Sequence, residues 1–587
     1  MAMKGDFVSN LGRIYGTYTG GFIGFVVLLA ILEQVGVPNR VIGYLFVAMT
    51  IGVYAAIGYL SRTMQVSEYY VAGRKVPAFY NGMATAADWM SAASFIGMAG
   101  TLYALGYDGL AFVLGWTGGY VLVAVLIAPY LRKFGAYTVP DFLGARYGGD
   151  FARTIGIVVL FCCSFTYIVA QVTGTGIIAS RFLDIPFGVA VFVGLVGILV
   201  CSMLGGMRAV TWTQVAQYIV LIIAYLVPVV MLSAKLTGVP IPQIMYGDIL
   251  QRITELEQTK PALAGAKAHT VPFSTYDPLN YFALIACLMI GTASLPHVLM
   301  RFFTTPSVRD ARKSVGWALL FIFILYFTAP AYAAFAKFEI YQNVIGAQIA
   351  ALPEWVSIYS GIGLVTIADA NADGILQFAE FTIHPDVVVI ATPEIAGLPY
   401  VVAGLVAAGG LAAALSTADG LLLAIANALS HDVYYRMIDP QASTARRLTV
   451  ARALLVVVAI MAAMVASTRP AGILAMVAWA FSLAAAGLFP ALVMGVWWNR
   501  TTKEGAVAGM LVGFGVTLFY LVATRYGGMG EWFGVRNISA ATFGLPLGFL
   551  TIWVVSLMTP APSKEMQDFI DNLRTPRGGT MMEEKAV

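Results

Sequence analysis

Three stretches of the chain carry oxygen-bearing side chains in patterns suited to holding ions or a small solute. In residues 82–101, GMATAADWMSAASFIGMAGT, Asp88, Ser91 and Ser94 stand among Ala and Gly. With its flanks, 79–105, the segment can cross a bilayer, yet it lacks the Leu and Ile of a lipid-facing helix. Small residues permit close helix contact. A local loss of helical hydrogen bonding frees carbonyls, which membrane depth tolerates only where protein or a cavity surrounds them. That describes a cation or solute site; the plain alternative is a tightly packed interior helix with one satisfied aspartate. The second stretch is 409–435, GGLAAALSTADGLLLAIANALSHDVYY. There Ala413, Ser416 and Thr417 fall at i, i+3 and i+4, so one helix face offers a carbonyl and two hydroxyl oxygens. A dehydrated hard cation needs several such oxygens, although Ser and Thr in membrane helices more often bond carbonyls one turn back.

The third stretch matches the twelve-position EF-hand calcium loop at every ligand position. Asp369, Asn371 and Asp373, the Ile375 carbonyl, a water at Gln377 and bidentate Glu380 supply oxygens, and Gly374 makes the turn. Without evident flanking helices it reads as a weak Ca2+ site of roughly 0.1–1 mM affinity that orders an outer loop. Asp88 and Asp419 are the ionisable residues nearest the first two patterns. Charge at that depth is costly, so each is a candidate to attract a cation, to titrate as a proton site, or to pair with an internal arginine.

The elements that position these residues are membrane helices. Of 587 residues 59% are hydrophobic and 11% charged, and mean hydropathy is +0.82, which excludes a soluble multidomain protein. The net charge of +4 says little, because what matters is the side on which each Lys and Arg lies. Cys162, Cys163, Cys201 and Cys287 fall in apolar spans and predict neither disulfides nor zinc. The N-terminal stretch has no small-residue cleavage site and reads as a retained helix. Fourteen spans are expected, near 16–36, 41–61, 79–105, 109–131, 153–180, 185–205, 209–236, 278–300, 314–337, 397–430, 449–467, 471–498, 504–524 and 540–558.

Loop charges orient them. Arg62, Arg74 and Lys75, then Arg132, Lys133 and Arg146, then Arg301, Arg309, Arg312 and Lys313, then Arg436, Arg446 and Arg447, then Arg500 and Lys503 all fall on one side. That side is cytoplasmic by the positive-inside rule, and both termini lie there. The loop from Lys337 to Ala396 has no further Lys or Arg but seven acidic residues, and belongs outside. Two runs of five spans, 79–236 and 278–498, start from opposite sides, and each opens on an interrupted helix. In the second the interruption is Gly291, Thr292, Ala293, Ser294 and Pro296, which leaves carbonyls near 288–292 available.

SEYYVAGRKVPAFYNGMATAADWMSAASFIG, GTASLPHVLMRFF with ARKSVGWA, and ALSTADG with SHDVYY resemble the sodium:solute symporter family, most closely its acetate permease or monocarboxylate branch, over residues 41–558. The resemblance implies an all-α, leucine-transporter-type core of five plus five inverted helices with extra helices at both ends. It maps a Na+ site onto the Ala87, Met90 and Ala413 carbonyls and the Ser416 and Thr417 hydroxyls. Two departures matter. Trp212-Thr213-Gln214 replaces an acidic triplet associated with a further sodium, so a second sodium is not expected. Sugar-carrying relatives have an aromatic gate where this chain has Gly291, and their sugar-binding groups are replaced by Ala93 and Ser94, which argues against a sugar.

For a small carboxylate, free amides at the breaks around Trp89 to Ser94, including Ser91, and around Gly291, Thr292 and Ser294 are expected to help, with Gln171 as a side-chain donor and Trp89 closing over an apolar tail. The organisation read from the chain is two flanking helices and a loop (1–78), a first repeat (79–236), an outer loop (237–277), a second repeat containing the calcium-type loop 369–380 (278–498), two flanking helices (499–559) and a cytoplasmic tail (560–587). The expected function is sodium-coupled uptake of a monocarboxylate across the plasma (inner) membrane. Proton coupling, an amino acid as solute, and a transporter-like sensor with a separate partner are the alternatives. Partners are the solute, the bilayer and the small membrane subunit that accompanies some relatives, not nucleic acid. No phosphate loop, zinc-ligand spacing or nucleophile motif points to an enzyme.

Overall fold

A computed structural model describes residues 7–203, 205–575 and 580–581. Residues 1–6 of the N-terminal stretch, the tail residues 576–579 and 582–587, and the Cys201 side chain lie outside that description. Both opening helices of the runs of five are broken where polar groups offer the backbone other partners. The first is helical over Ala78–Trp89, turns at Met90 (φ −74°, ψ 68°), widens over Ala93–Gly97 and continues as Met98–Leu105. At its turn Ala92 N donates to Gln171 Oε1 at 2.8 Å and Ala93 N to Ser91 Oγ at 3.2 Å. These two amides, expected to be free for a carboxylate, are therefore already paired, because Gln and Ser lie within reach of the freed backbone.

The second broken helix runs over Pro278–Thr292, leaves helical geometry at Leu295 (ψ 120°) and resumes as Pro296–Met300 followed by Arg301–Thr304. Pro296 sits in the first turn of the new helix, where its missing N–H costs nothing. The carbonyls expected to stay available here are instead capped. Thr292 Oγ1 donates to Leu288 O at 2.7 Å, and Ser294 Oγ to Ile290 O at 3.1 Å and Gly291 O at 3.0 Å.

Among the described residues twelve helices are long and apolar enough to cross a membrane. The expectation of fourteen differs for two reasons. The second half of 79–105 and all of 109–131 form one apolar run, Ala93–Phe134, and the helix Phe187–Ser202 is short. At the centre stands Tyr400–Asn427, with every residue from Val401 to Asn427 buried, which is how a helix apolar on all sides is accommodated. Its N-terminus is capped from the flanking helix Leu11–Gln34: the Glu33 carboxylate accepts from Tyr400 N at 2.7 Å and Val401 N at 2.8 Å. Asp150–Leu183 and Gly206–Thr237 both pack against it.

The stretches read as loops hold structure of their own. Residues 237–277 contain the helix Pro242–Thr259, and the helix before the acidic loop continues to Asn343, so Lys337 is buried, with Nζ donating to Tyr103 O at 3.0 Å. In the acidic loop Val365–Ile367 and Phe381–Ile383 pair antiparallel and hold the calcium-type loop between them.

Candidate functional site

The site lies where the first broken helix meets the second and the central helix. Ser416 and Thr417 project from the central helix onto the end of Ala78–Trp89. Ser416 Oγ donates to Ala87 O at 2.6 Å and Ala413 O at 2.9 Å, and Thr417 Oγ1 donates to Asp88 O at 2.7 Å. Met90, where the helix stops, turns its carbonyl off the helical path. Four of the five residues expected around sodium thus share one hydrogen-bonded cluster, with Met90 at its edge. All are neutral hard oxygens, the donor chemistry an alkali cation takes, and rotation of the two hydroxyl hydrogens would turn lone pairs inward.

Against this cluster lies a buried ion pair. Arg301 Nε donates to Asp88 Oδ2 at 3.0 Å, and both side chains are 0% exposed. Gln214 Nε2 donates to Asp88 Oδ1 at 3.1 Å and to Ser416 O at 2.7 Å, so the residue noted only as a departure in the Trp212-Thr213-Gln214 triplet ties the carboxylate to the central helix. Gly420 makes room, since a Cβ there would lie 2.1 Å from Asp88 Oδ1. Arg301, counted among the loop charges in the sequence, is drawn inward because Asp88, Thr211 and Met207 supply its partners. Asp419 faces another way: Ser202 Oγ donates to its Oδ1, while Oδ2 has no partner among the described residues.

On the other side of the break, aromatic rings converge. Trp89 meets Tyr120 at 4.9 Å, Phe481 at 5.4 Å and Trp116 at 6.3 Å between centroids, mostly edge to face. Phe481 packs its Cβ and backbone on Gly291, where an added Cβ would come within 2.7 Å, so the glycine permits close approach of the helix Ile473–Gly487. Ser94 Oγ and Tyr326 OH are 2.8 Å apart. The Thr292 side chain packs on Gly119. Sequence reasoning found Trp89, Ser94, Gly291 and Gln171 but missed Trp116, Tyr120, Tyr326 and Phe481, aromatic residues on apolar spans whose spacing is that of ordinary packing.

In the calcium-type loop Gly374 (φ +74°) donates its N–H to Asp369 Oδ2 at 3.3 Å, Asn371 Oδ1 accepts from Asp373 N at 3.1 Å, and Glu380 Oε1 accepts from Ala370 N at 2.8 Å. The Ile375 amide holds the Asp373 carboxyl below its ordinary value, assisted by Asn371 and Gln377. The loop acids are not gathered. Among the described residues one trio, Asp141, His431 and Asp432, has ligand atoms within 4.8 Å of one another. Arg153 already pairs with both of those aspartates, at 3.4 and 3.5 Å, which makes the trio an ion network.

A family profile, the sodium:solute symporter family, matches residues 69–352 and 341–513. The chain belongs to the sodium:solute symporter family. An uncharacterized symporter of Cupriavidus necator is 45% identical over 95% of this chain and 98% of its own length. The uncharacterized symporter YwcA of Bacillus subtilis is 28% identical over 92% and 99%. A Na+-coupled sialic acid symporter, solved substrate-bound and outward-open, superposes with a TM-score of 0.69 at 16% identity, covering 89% of this chain and 99% of that one. At that identity the likeness establishes the fold. This symporter is therefore a multi-pass membrane protein of the leucine-transporter fold, and both family and fold are those of transporters.

Proposed function

We propose that this symporter takes up a small monocarboxylate, of the acetate, propionate, lactate or pyruvate class, together with sodium by alternating access. The observation that carries the reading is a surplus of donors beside the aromatic box. Trp116 Nε1, Tyr120 OH and Gln171 Nε2 are buried without a hydrogen-bond partner among the described residues. Buried donors lacking an acceptor are costly, and a carboxylate, which only accepts, satisfies several at once. Ring faces of Trp89 and Phe481 suit a methyl or ethyl tail, Ser91 and Ser94 border the break, and Gly291 leaves space for Phe481. Thr292 and Ser294 contribute less than their place at the break promised, their hydroxyls being bonded to carbonyls of their own helix.

Sodium is assigned to the Ala87, Met90 and Ala413 carbonyls with Ser416 and Thr417, and its arrival ties the two repeats together. A proton-coupled reading has one observation in its favour, the unpartnered Asp419 Oδ2. The loop Asp369–Glu380 is proposed as a Ca2+ site whose acids close on the ion when it binds. The basic face is placed in the cytoplasm with both termini, in the plasma (inner) membrane. The test is uptake of labelled acetate and pyruvate into proteoliposomes under an inward sodium or proton gradient, with wild type beside Ser416→Ala/Thr417→Ala. Sodium-driven uptake lost in the double variant supports the assignment. Proton-driven uptake indifferent to it moves coupling to Asp419, and no uptake of either acid removes the monocarboxylate.

A further inference from the structure

The second broken helix carries two polar side chains that the sodium cluster and the aromatic box leave unexplained. His297 is 1% exposed, and neither ring nitrogen has a partner among the described residues. Arg301, one helical turn on, is 0% exposed; its Nε is on Asp88 and its Nη1 on Thr211 Oγ1 at 3.2 Å, while Nη2 has no partner among the described residues. Residues four apart on a helix share a face, so the imidazole and the guanidinium lie on one face of this short helix. Tyr167 links that face to the aromatic box: its ring lies 5.9 Å from Phe481 and, edge-on, 5.5 Å from His297. On its other side Arg301 reaches the sodium cluster through Asp88, whose carbonyl accepts from Thr417.

We infer that His297 and Arg301 form an inner binding station for the carboxylate of the transported solute, and that cation and solute enter together by exchanging partners with the Asp88–Arg301 ion pair. This rests on the monocarboxylate reading above. Asp88 and Arg301 neutralise each other before binding. A cation in the Ala87–Ser416 cluster takes over the charge of Asp88, which releases the guanidinium fork. Arg301 then meets the carboxylate through Nε and Nη2, the bidentate geometry a guanidinium prefers, with His297 N–H as a further donor. The charge of the site is the same before and after.

Coupling follows from this bookkeeping. A cation bound alone leaves Arg301 buried and unpaired, and a carboxylate bound alone leaves Asp88 so; a buried charge stripped of its partner is strongly unfavourable. Each ion therefore binds weakly until the other is in place. Gln214, which holds Asp88 Oδ1 and Ser416 O together, keeps the carboxylate beside the cation cluster during the exchange.

The test is binding of 22Na+ and of labelled acetate and pyruvate to purified full-length protein in nanodiscs, each measured with and without the other. In wild type each ligand should tighten the other at least tenfold, by the same factor in both directions. In Asp88→Asn/Arg301→Gln, which replaces the ion pair by a neutral pair of similar shape, that mutual factor should fall to within twofold of one while residual binding persists. His297→Phe should weaken acetate at least fivefold and leave 22Na+ binding measured alone unchanged. Arg301→Lys, which keeps the charge but loses the fork, should weaken acetate more than 22Na+. Wild-type coupling that survives in the double variant overturns the exchange, and His297→Phe with wild-type acetate affinity overturns the station. Sodium binding in wild type without any acetate or pyruvate effect overturns the monocarboxylate reading, and this inference with it.

Discussion

Gly420→Ala tests the placement of Asp88 more directly than any change to Asp88 itself. The added Cβ would lie 2.1 Å from Asp88 Oδ1, 2.9 Å from Cγ and 3.0 Å from Oδ2. The central helix is buried on every side and cannot retreat, so the carboxylate has to move by about 1.3 Å or more to reach ordinary contact, which disrupts its hydrogen bond from Gln214, now at 3.1 Å. Losing a hydrogen bond to a charged group costs about 1.5–3 kcal/mol. Overpacking a tight site costs a further 1–3 kcal/mol or so. The sum, about 2.5–6 kcal/mol, should lower the melting temperature of the purified protein by several degrees. If about half of it bears on the cation-bound state, sodium half-saturation of uptake rises roughly tenfold or more, at about 1.4 kcal/mol per decade. Gly316→Ala is the control, because nothing lies within 4 Å of its added Cβ and helix propensity favours the change. Scanning fluorimetry and sodium titration of uptake read both quantities. A Gly420→Ala protein with wild-type melting and sodium dependence would refute the packing of Asp88 against the central helix.

Removing the Ser416 hydroxyl alone should raise the sodium concentration for half-maximal uptake about tenfold or more, since it links the Ala87 and Ala413 carbonyls, and the double change with Thr417→Ala should abolish sodium-driven uptake. Calorimetry should detect Ca2+ binding of roughly 0.1–1 mM affinity that Asp373→Ala abolishes. Because the folded Asp373 pKa is depressed, the ordering of that loop is fully present above the ordinary aspartate value of 3.8 and is lost only as pH falls below it; loss already at pH 5, read by limited proteolysis, would contradict that. Glu33→Ala should destabilise the protein by about 1–2 kcal/mol, because two amides at the start of the buried central helix lose their acceptor, and an unchanged melting temperature would show that water replaces it.

Much of the hydroxyl–carbonyl cluster proposed for sodium was legible in the chain because its spacing is local. Ala413, Ser416 and Thr417 share a face by helical periodicity, and the small polar composition around Asp88 already marks a helix that cannot face lipid. The two breaks were legible for the same reason, since Pro296 and the small and polar residues around Trp89 to Ser94 disturb a helix wherever it is packed. What the breaks do with their backbone was not legible. Whether Ala92 N stays free depends on Gln171, 79 residues away along the chain, and whether the 288–291 carbonyls stay free depends on which way Thr292 and Ser294 rotate.

Arg301 shows where the boundary falls. By sequence alone it is one more positive charge at the end of a span, grouped with Arg309, Arg312 and Lys313. Only the tertiary structure turns it toward Asp88, because a charge 213 residues away provides the partner that makes its burial affordable. The aromatic box belongs to the same class: Trp89, Trp116, Tyr120 and Phe481 come from three separate regions of the chain, and nothing in their own neighbourhoods distinguishes them from packing residues. Composition, periodicity and helix-breaking residues act over a turn or two, so the sequence by itself determined the membrane class, the broken helices and the Ser416–Thr417 face. Ion pairing and ring convergence act across the bundle, so the contents of the site were decided only when the helices packed.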